Sequence, residues 1–159
     1  MRRCLLLTAT VLALLSCRKE PALPIVREGM QLSYGLDSLV FTDWAPLGRR
    51  QLKVYYYIPT GGSPSRMPVL FAMHGADRNG LYQVQNWMEV ADDRKIIVVS
   101  PLLPKEDFSV LEYQYGGISM SDSRYLPVPR DRWTYNLIES LFDYVKKYTG
   151  NTSATYDLW

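Results

Sequence analysis

The chain has 159 residues, of which 47% are hydrophobic and 21% charged, with 18 basic and 16 acidic side chains and one histidine. This composition is typical of a globular domain and excludes a disordered or collagen-like chain. The near balance of charge gives no reason to expect nucleic acid or anionic lipid as a partner.

The N-terminal residues have the features of an export signal. Arg2 and Arg3 give a positive start, and the apolar run from Leu5 to Leu15 suits a signal-peptide core but is too short to span a bilayer. The run leads into Leu-Leu-Ser-Cys, which resembles the lipobox of bacterial lipoproteins and identifies Cys17 as the lipidated residue. The alternative is an ordinary secretory signal with a chance cysteine.

The cysteine and charge counts agree with this interpretation. Cleavage before Cys17 would discard Cys4, the other cysteine, and leave one thiol for lipid attachment and none for a disulfide. Cleavage would also remove Arg2 and Arg3, which leaves 16 basic against 16 acidic residues.

We therefore predict three segments: a signal peptide at 1–16, a lipidated tether at 17–30, and a folded domain at 31–159. The N-terminal lipid would make the membrane a partner and place the protein in the bacterial cell envelope, in the periplasm or at the cell surface.

The first elements of the domain read as strands. The segment from Leu36 to Trp44 is a weak strand candidate. The segment from Leu52 to Ile58 is a strong one, because its apolar residues alternate and Pro59 closes it. The turn-rich residues from Thr60 to Ser65 then lead onward as a hairpin or crossing loop.

The middle of the chain predicts a βαβ unit. Val69 to Met73 and Ile96 to Val99 are apolar runs without alternation, as in strands buried on both faces of a parallel sheet. The segment from Gln85 to Arg94 between them suits a crossover helix.

A long segment from Pro101 to Asp131 shows no sustained periodicity, and loops of this length tend to be functional or mobile. A helix is predicted from Arg132 to Thr149, with Asp131 as its N-cap and Gly150 as its stop. Tyr156 to Trp159 reads as the opening of another strand.

His74 and Gly75 follow the first buried run directly. The stretch from Pro68 to Gly80, with Trp87 after it and the run from Ile97 to Pro101 behind it, resembles α/β-hydrolases. Within that superfamily it is most similar to the poly(3-hydroxybutyrate) depolymerase and feruloyl-esterase-like group. The resemblance implies an α/β fold with a mostly parallel sheet and helices on both faces, here incomplete. The alternative is a strand-to-helix turn with an incidental histidine.

The resemblance also implies site residues. In this superfamily the loop after the strand lends a backbone N–H to the oxyanion hole, which points to Ala76 first and Gly75 next, with Gly75 allowing a tight turn. His74 would be structural and hold the loop. Three further residues would support the loop or contact substrate: Asp77, Arg78 and Asn79.

The rest of a catalytic triad is missing from these residues. His74 is the one histidine, so none is left as the general base of a Ser-His-acid triad. The family order places the nucleophile, in Gly-x-Ser-x-Gly, after the strand that begins near Tyr156. We therefore expect the chain to end before that nucleophile, and to be a catalytically incomplete fragment.

The sequence from Gly117 to Ser121 differs from the motif Gly-x-Ser-x-Gly at one residue. Its last glycine is missing and no buried strand precedes it, so a loop lining the substrate mouth is the favoured interpretation, and Ser119 as nucleophile is the alternative.

Two functions follow as hypotheses. One is an envelope-anchored serine hydrolase for small-molecule or polymeric carboxylic esters, and the other is a non-catalytic binding lipoprotein that keeps part of a hydrolase fold. The sequence shows no zinc, calcium or phosphate-binding pattern, so we expect neither metal nor cofactor.

Overall fold

A computed structural model of the protein describes residues 32–159. The predicted signal peptide, Cys17 and the tether at 17–30 lie outside the described residues. None of the helices in the described part is long and apolar enough to cross a membrane.

Within residues 32–159, five strands form one sheet in the order β1-β2-β4-β3-β5. Their bounds are as follows: β1 Gly35–Phe41, β2 Leu52–Ile58, β3 Val69–Phe71, β4 Ile97–Pro101 and β5 Asp157–Leu158. β2 runs antiparallel to both of its neighbours, whereas β4, β3 and β5 are parallel. The predicted βαβ unit is therefore confirmed, and the turn-rich segment after β2 crosses to a strand that β4 separates from it.

In the part of the chain that the structure describes, three helices accompany the sheet: α1 Gly80–Arg94, α2 Val110–Gln114 and α3 Asn136–Thr149. Short 3-10 turns occur at Ala45–Leu47, Pro64–Arg66 and Arg130–Arg132. The predicted crossover helix is confirmed, but it begins five residues earlier than expected, because the Asn79 side chain accepts a hydrogen bond from the Tyr82 N–H at 3.0 Å and caps it.

The two longer helices cover opposite faces of the sheet. Leu137, Leu141 and Val145 of α3 pack against one face in the larger core, and Val84 and Ala91 of α1 pack against the other. The alternation predicted for β2 places Leu52, Val54, Tyr56 and Ile58 in the larger core, as expected. This arrangement confirms the predicted α/β class with helices on both faces.

Two predictions about the C-terminal half are wrong. The last helix begins at Asn136 rather than Arg132, and Asp131 does not cap it but lies in the 3-10 turn before it. The long segment after Pro101 is not a featureless loop, since it contains α2. Ser109 and Glu112 form a reciprocal capping box at the start of α2. Gly150, with φ 68°, ends α3 as predicted.

Candidate active site

The loop after β3 lies at the carboxyl edge of the parallel strands, where ligands of open α/β sheets bind. Gly75, Ala76 and Asp77 are exposed. A turn is closed by the Arg78 N–H, which donates to the Gly75 carbonyl at 3.0 Å. Within residues 32–159, no hydrogen bond uses the amide of Gly75 or Ala76. Both amides therefore remain available to a ligand.

A left-handed backbone occurs in this loop at a residue other than the one we expected. Arg78 has the left-handed backbone, with φ 58°, whereas Gly75 does not have a positive φ. A Cβ added to Gly75 would meet only Asp77 Oδ1, at 3.4 Å. The prediction that the conformational freedom of Gly75 provides the tight turn is therefore wrong.

His74 is almost completely enclosed, with 2% of its surface exposed. Its Nε2 accepts a hydrogen bond from the Leu103 N–H at 3.0 Å, so the ring proton is on Nδ1, which lies 3.1 Å from the Gly75 carbonyl. Burial lowers the pKa of His74 below its ordinary value; the Gly75 carbonyl opposes this and the Arg78 charge adds to it. This neutral ring is occupied in holding the backbone, as a structural histidine would be.

Arg78 and Tyr113 complete the surroundings of the loop. The Arg78 guanidinium donates to the Leu103 carbonyl and lies 3.7 Å from the centre of the Tyr113 ring. The Tyr113 ring stacks on His74 at 4.9 Å, and its hydroxyl donates to the His74 carbonyl.

Two cavities meet at this loop. One, of about 430 Å³, is lined by Gly75 and Ala76 together with mainly apolar residues: Met73, Tyr113, Gln114, Tyr135, Ile138 and Leu158. The other, of about 410 Å³, shares Ala76, Tyr113 and Gln114 and adds five residues: Arg78, Lys105, Phe108, Ser109 and Val110. An ester has an acyl and an alcohol side, and a carbonyl at the Ala76 amide would have a cavity for each.

The structure separates the three residues predicted to follow the oxyanion loop. Arg78 lines the second cavity, whereas Asn79 is engaged as the cap of α1, and Asp77 is exposed and lines neither cavity. Neither Tyr113 nor Leu103 was predicted from the sequence as a site residue, although the Ser109–Glu112 capping box indicates the start of the helix that carries Tyr113.

β5 reaches the same edge of the sheet. The Trp159 N–H donates to the Phe71 carbonyl at 2.9 Å, and the Met73 N–H donates to the Trp159 carbonyl at 2.8 Å. The parallel pairing of β3 and β5 thus continues to the residue directly before His74.

Ser119 lies in a different environment from a nucleophile. Its hydroxyl donates to the Ser121 carbonyl at 2.8 Å and accepts from the N–H groups of Ser121 and Leu126. The segment pairs with itself through a bridge between Ser119 and Pro127, and the imidazole of His74 is bonded elsewhere. Ser119 therefore stabilises its own loop. Residues 32–159 also contain no group of three or more side chains placed to hold a metal ion.

No protein-family model matches the chain, and no curated protein matches it. Solved structures do. Poly(aspartic acid) hydrolase-1 from Sphingomonas sp. KT-1 is 35% identical, with a TM-score of 0.71, over 80% of this chain and 46% of that protein. LpqC, a poly(3-hydroxybutyrate) depolymerase from Bordetella parapertussis, is 25% identical, with a TM-score of 0.65, over 75% of this chain and 40% of its own. The chain has an α/β-hydrolase fold.

The α/β-hydrolase assignment confirms the resemblance inferred from the region around His74. A third structure, the BES protein from Bacillus cereus, shares the fold at 17% identity and a TM-score of 0.54, covering 84% of this chain and 53% of that one. The chain spans less than half the length of the two bacterial hydrolases named first.

Proposed function

We propose that this chain provides the oxyanion-loop part of a serine hydrolase that cleaves carboxylic esters. The observation that carries the proposal is that Gly75 and Ala76 are exposed residues that line a cavity at the carboxyl edge of the sheet, and that their amides make no hydrogen bond within residues 32–159. Attack on an ester carbonyl builds negative charge on its oxygen, and fixed N–H donors aimed at that oxygen stabilise the transition state.

The nucleophile would come from the residues that follow β5 in the complete protein. Because β5 pairs in parallel with β3 as far as Trp159, a turn after it would emerge beside the Gly75–Ala76 loop. His74 is bonded to Leu103 and is not free to act as base, so the base would be a histidine outside these 159 residues. The bacterial hydrolases that the chain resembles are more than twice the length that it covers, which supports this view.

The substrate class follows from the two cavities and the relatives. Poly(aspartic acid) and poly(3-hydroxybutyrate), named for those relatives, are polymers linked through acyl carbonyls. Cavities on both sides of Ala76 suit a carbonyl with groups extending in two directions. We infer a small-molecule or polymeric ester. The competing function is ligand binding without turnover.

Replacing Ala76 with proline tests the oxyanion role. Ala76 is the second residue of the turn closed by Gly75 and Arg78, a position that proline favours. Proline has no backbone N–H, so the substitution removes the donor that would bind the oxyanion. In the full-length protein, Ala76→Pro should lower kcat for p-nitrophenyl acetate by about 10²–10³-fold with little change in KM. Ala76→Ser keeps the amide and is the matched control.

Labelling with a fluorophosphonate identifies the nucleophile. We expect the full-length protein to be labelled, and Ser119→Ala to be labelled equally, since the Ser119 hydroxyl is committed to its own loop. Labelling that disappears in Ser119→Ala would overturn the proposed location. A full-length protein that binds esters but is neither labelled nor active would establish the binding function instead.

We also propose lipid anchoring at Cys17 in the cell envelope, on the sequence pattern alone. Cells fed a fatty-acid probe should label the wild type and Cys4→Ala, the matched control, but not Cys17→Ala, which should leave the membrane fraction. Equal labelling of all three proteins, or of none, would contradict this proposal.

A further inference from the structure

The oxyanion loop has little hydrogen bonding of its own, so something else must fix its shape. One backbone hydrogen bond, from the Arg78 N–H to the Gly75 carbonyl, closes its turn, and its middle residues are exposed. Arg78 also adopts a left-handed backbone that side chains rarely occupy. Catalysis is sensitive to such looseness, since a misplacement of about 1 Å can cost about 10²-fold in rate.

Tyr113 contacts the loop on both sides of the two candidate amides. Its ring stacks on the His74 imidazole, with centres 4.9 Å apart and planes 19° apart, and it lies under the Arg78 guanidinium at 3.7 Å. Its hydroxyl donates to the His74 carbonyl and lies 3.4 Å from the Gly75 carbonyl. Burial raises the pKa of Tyr113, so the phenol keeps its proton and remains a donor at neutral pH.

Leu103 ties together the same two ends of the loop. Its N–H donates to His74 Nε2, and its carbonyl accepts from Arg78. His74 and Arg78, which lie on either side of Gly75–Ala76, are thus both bound to the backbone of Leu103 as well as to one aromatic ring.

The helix that carries Tyr113 is itself held in place. α2 has only five residues, but its capping box is complete, and Glu112 forms an ion pair with Arg50 at 2.8 Å. Arg50 also donates to the Asp107 carbonyl at 2.9 Å and lies over the Phe108 ring. These contacts connect α2 to the segment that precedes β2 and hold the helix that carries Tyr113 in position.

We propose that Tyr113 is the positioning residue of the oxyanion loop, holding the Gly75 and Ala76 amides through His74 and Arg78. This inference rests on the proposed function, because the orientation of these amides affects catalysis only if they bind the oxyanion. Tyr113 would act through the loop and not on the reacting atoms.

Tyr113→Phe in the full-length protein is the first test, because it removes the hydroxyl and keeps the ring. We expect kcat to fall about tenfold, less than the 10²–10³-fold of losing a donor outright, with KM within about twofold. Tyr115→Phe is the control, since Tyr115 is 53% exposed and lies outside the site. In an active protein, an unchanged kcat in Tyr113→Phe would overturn the proposal.

The titration of His74 followed by NMR is the second test and needs no activity. Without the hydroxyl, the loop should open to water, and the pKa of His74 should move up toward its ordinary value, while Tyr115→Phe leaves it unchanged. His74→Gln identifies the resonance. An inactive wild-type protein would refute the proposed function but not the positioning role of Tyr113. The positioning role would then be refuted if the pKa of His74 were the same in Tyr113→Phe and in the wild type.

Discussion

Two adjacent glycines beside the site, Gly116 and Gly117, adopt left-handed backbone with φ of 66° and 68°, and alanine should fail at each for a different reason. A Cβ at Gly116 would lie 2.2 Å from carbons of the Tyr135 ring. A Cβ at Gly117 would lie 2.7 Å from Thr134 Oγ1 and 3.1 Å from the Thr134 backbone nitrogen. Gly150, with φ 68° and no atom within 4 Å of an added Cβ, is the matched reference.

The structure ranks the three losses in the free energy of unfolding. Gly150→Ala carries backbone strain alone, about 1–2 kcal/mol. Gly116→Ala adds the rotation of Tyr135, which is 54% exposed and can turn into solvent, at about 0.5–1.5 kcal/mol. Gly117→Ala meets both the side chain and the backbone nitrogen of Thr134, which is buried, and overpacking of this kind costs about 1–3 kcal/mol beyond the strain.

Urea unfolding followed by circular dichroism measures all three losses in the full-length protein. We expect Gly117→Ala to be the least stable and Gly150→Ala the most stable of the three variants. Gly116→Ala should also alter ester KM, because Tyr135 lines the cavity of about 430 Å³. Equal losses at the three positions would show that the contacts of the added methyl groups do not matter and would refute this reasoning.

Three further predictions concern single side chains. Because burial lowers the pKa of His74 below the value of about 6.5 expected in the unfolded chain, stability should fall as the pH decreases below about 6.5, with a contribution from this group of at most about 1.4 kcal/mol per pH unit. Urea unfolding of His74→Gln should show a smaller dependence on pH in this range. Asn151→Ala should cost about 1–3 kcal/mol in thermal unfolding, because its amide donates to two backbone carbonyls at 2.7 Å. Burial and a hydrogen bond to Glu139 raise the pKa of Tyr156 to about 12, and Glu139→Gln should lower it in an ultraviolet titration; an unchanged value would contradict this.

Much of the sheet could be predicted because its signals are local. The alternation from Leu52 to Ile58 and the apolar run from Val69 report burial on one or two faces directly. The start of α3 could not be predicted in this way. Asp131 is a favourable capping residue by type, but the chain forms a 3-10 turn there, and the Tyr135 N–H donates to the Gly116 carbonyl, a contact between distant residues.

The residues of the candidate site also differ in whether a local sequence pattern indicates them. His74 and Gly75 stand out because they follow a buried strand, and the resemblance supplied their roles. Tyr113 lies 39 residues from His74, so no pattern in the sequence places the two together. α2 has five residues and shows no helical periodicity, and only its capping box marks it.

The position of β3 between β4 and β5 has a consequence for biosynthesis. Phe71 pairs with Val99 on one side and with Leu158, 87 residues later in the chain, on the other. At about 5–20 residues per second, a ribosome needs roughly 4–17 s to produce that second partner. Throughout that interval one edge of a fully apolar strand has no partner, and exposed edges of this kind recruit other chains. Nascent chains of this protein should therefore depend on a holding chaperone until β5 emerges.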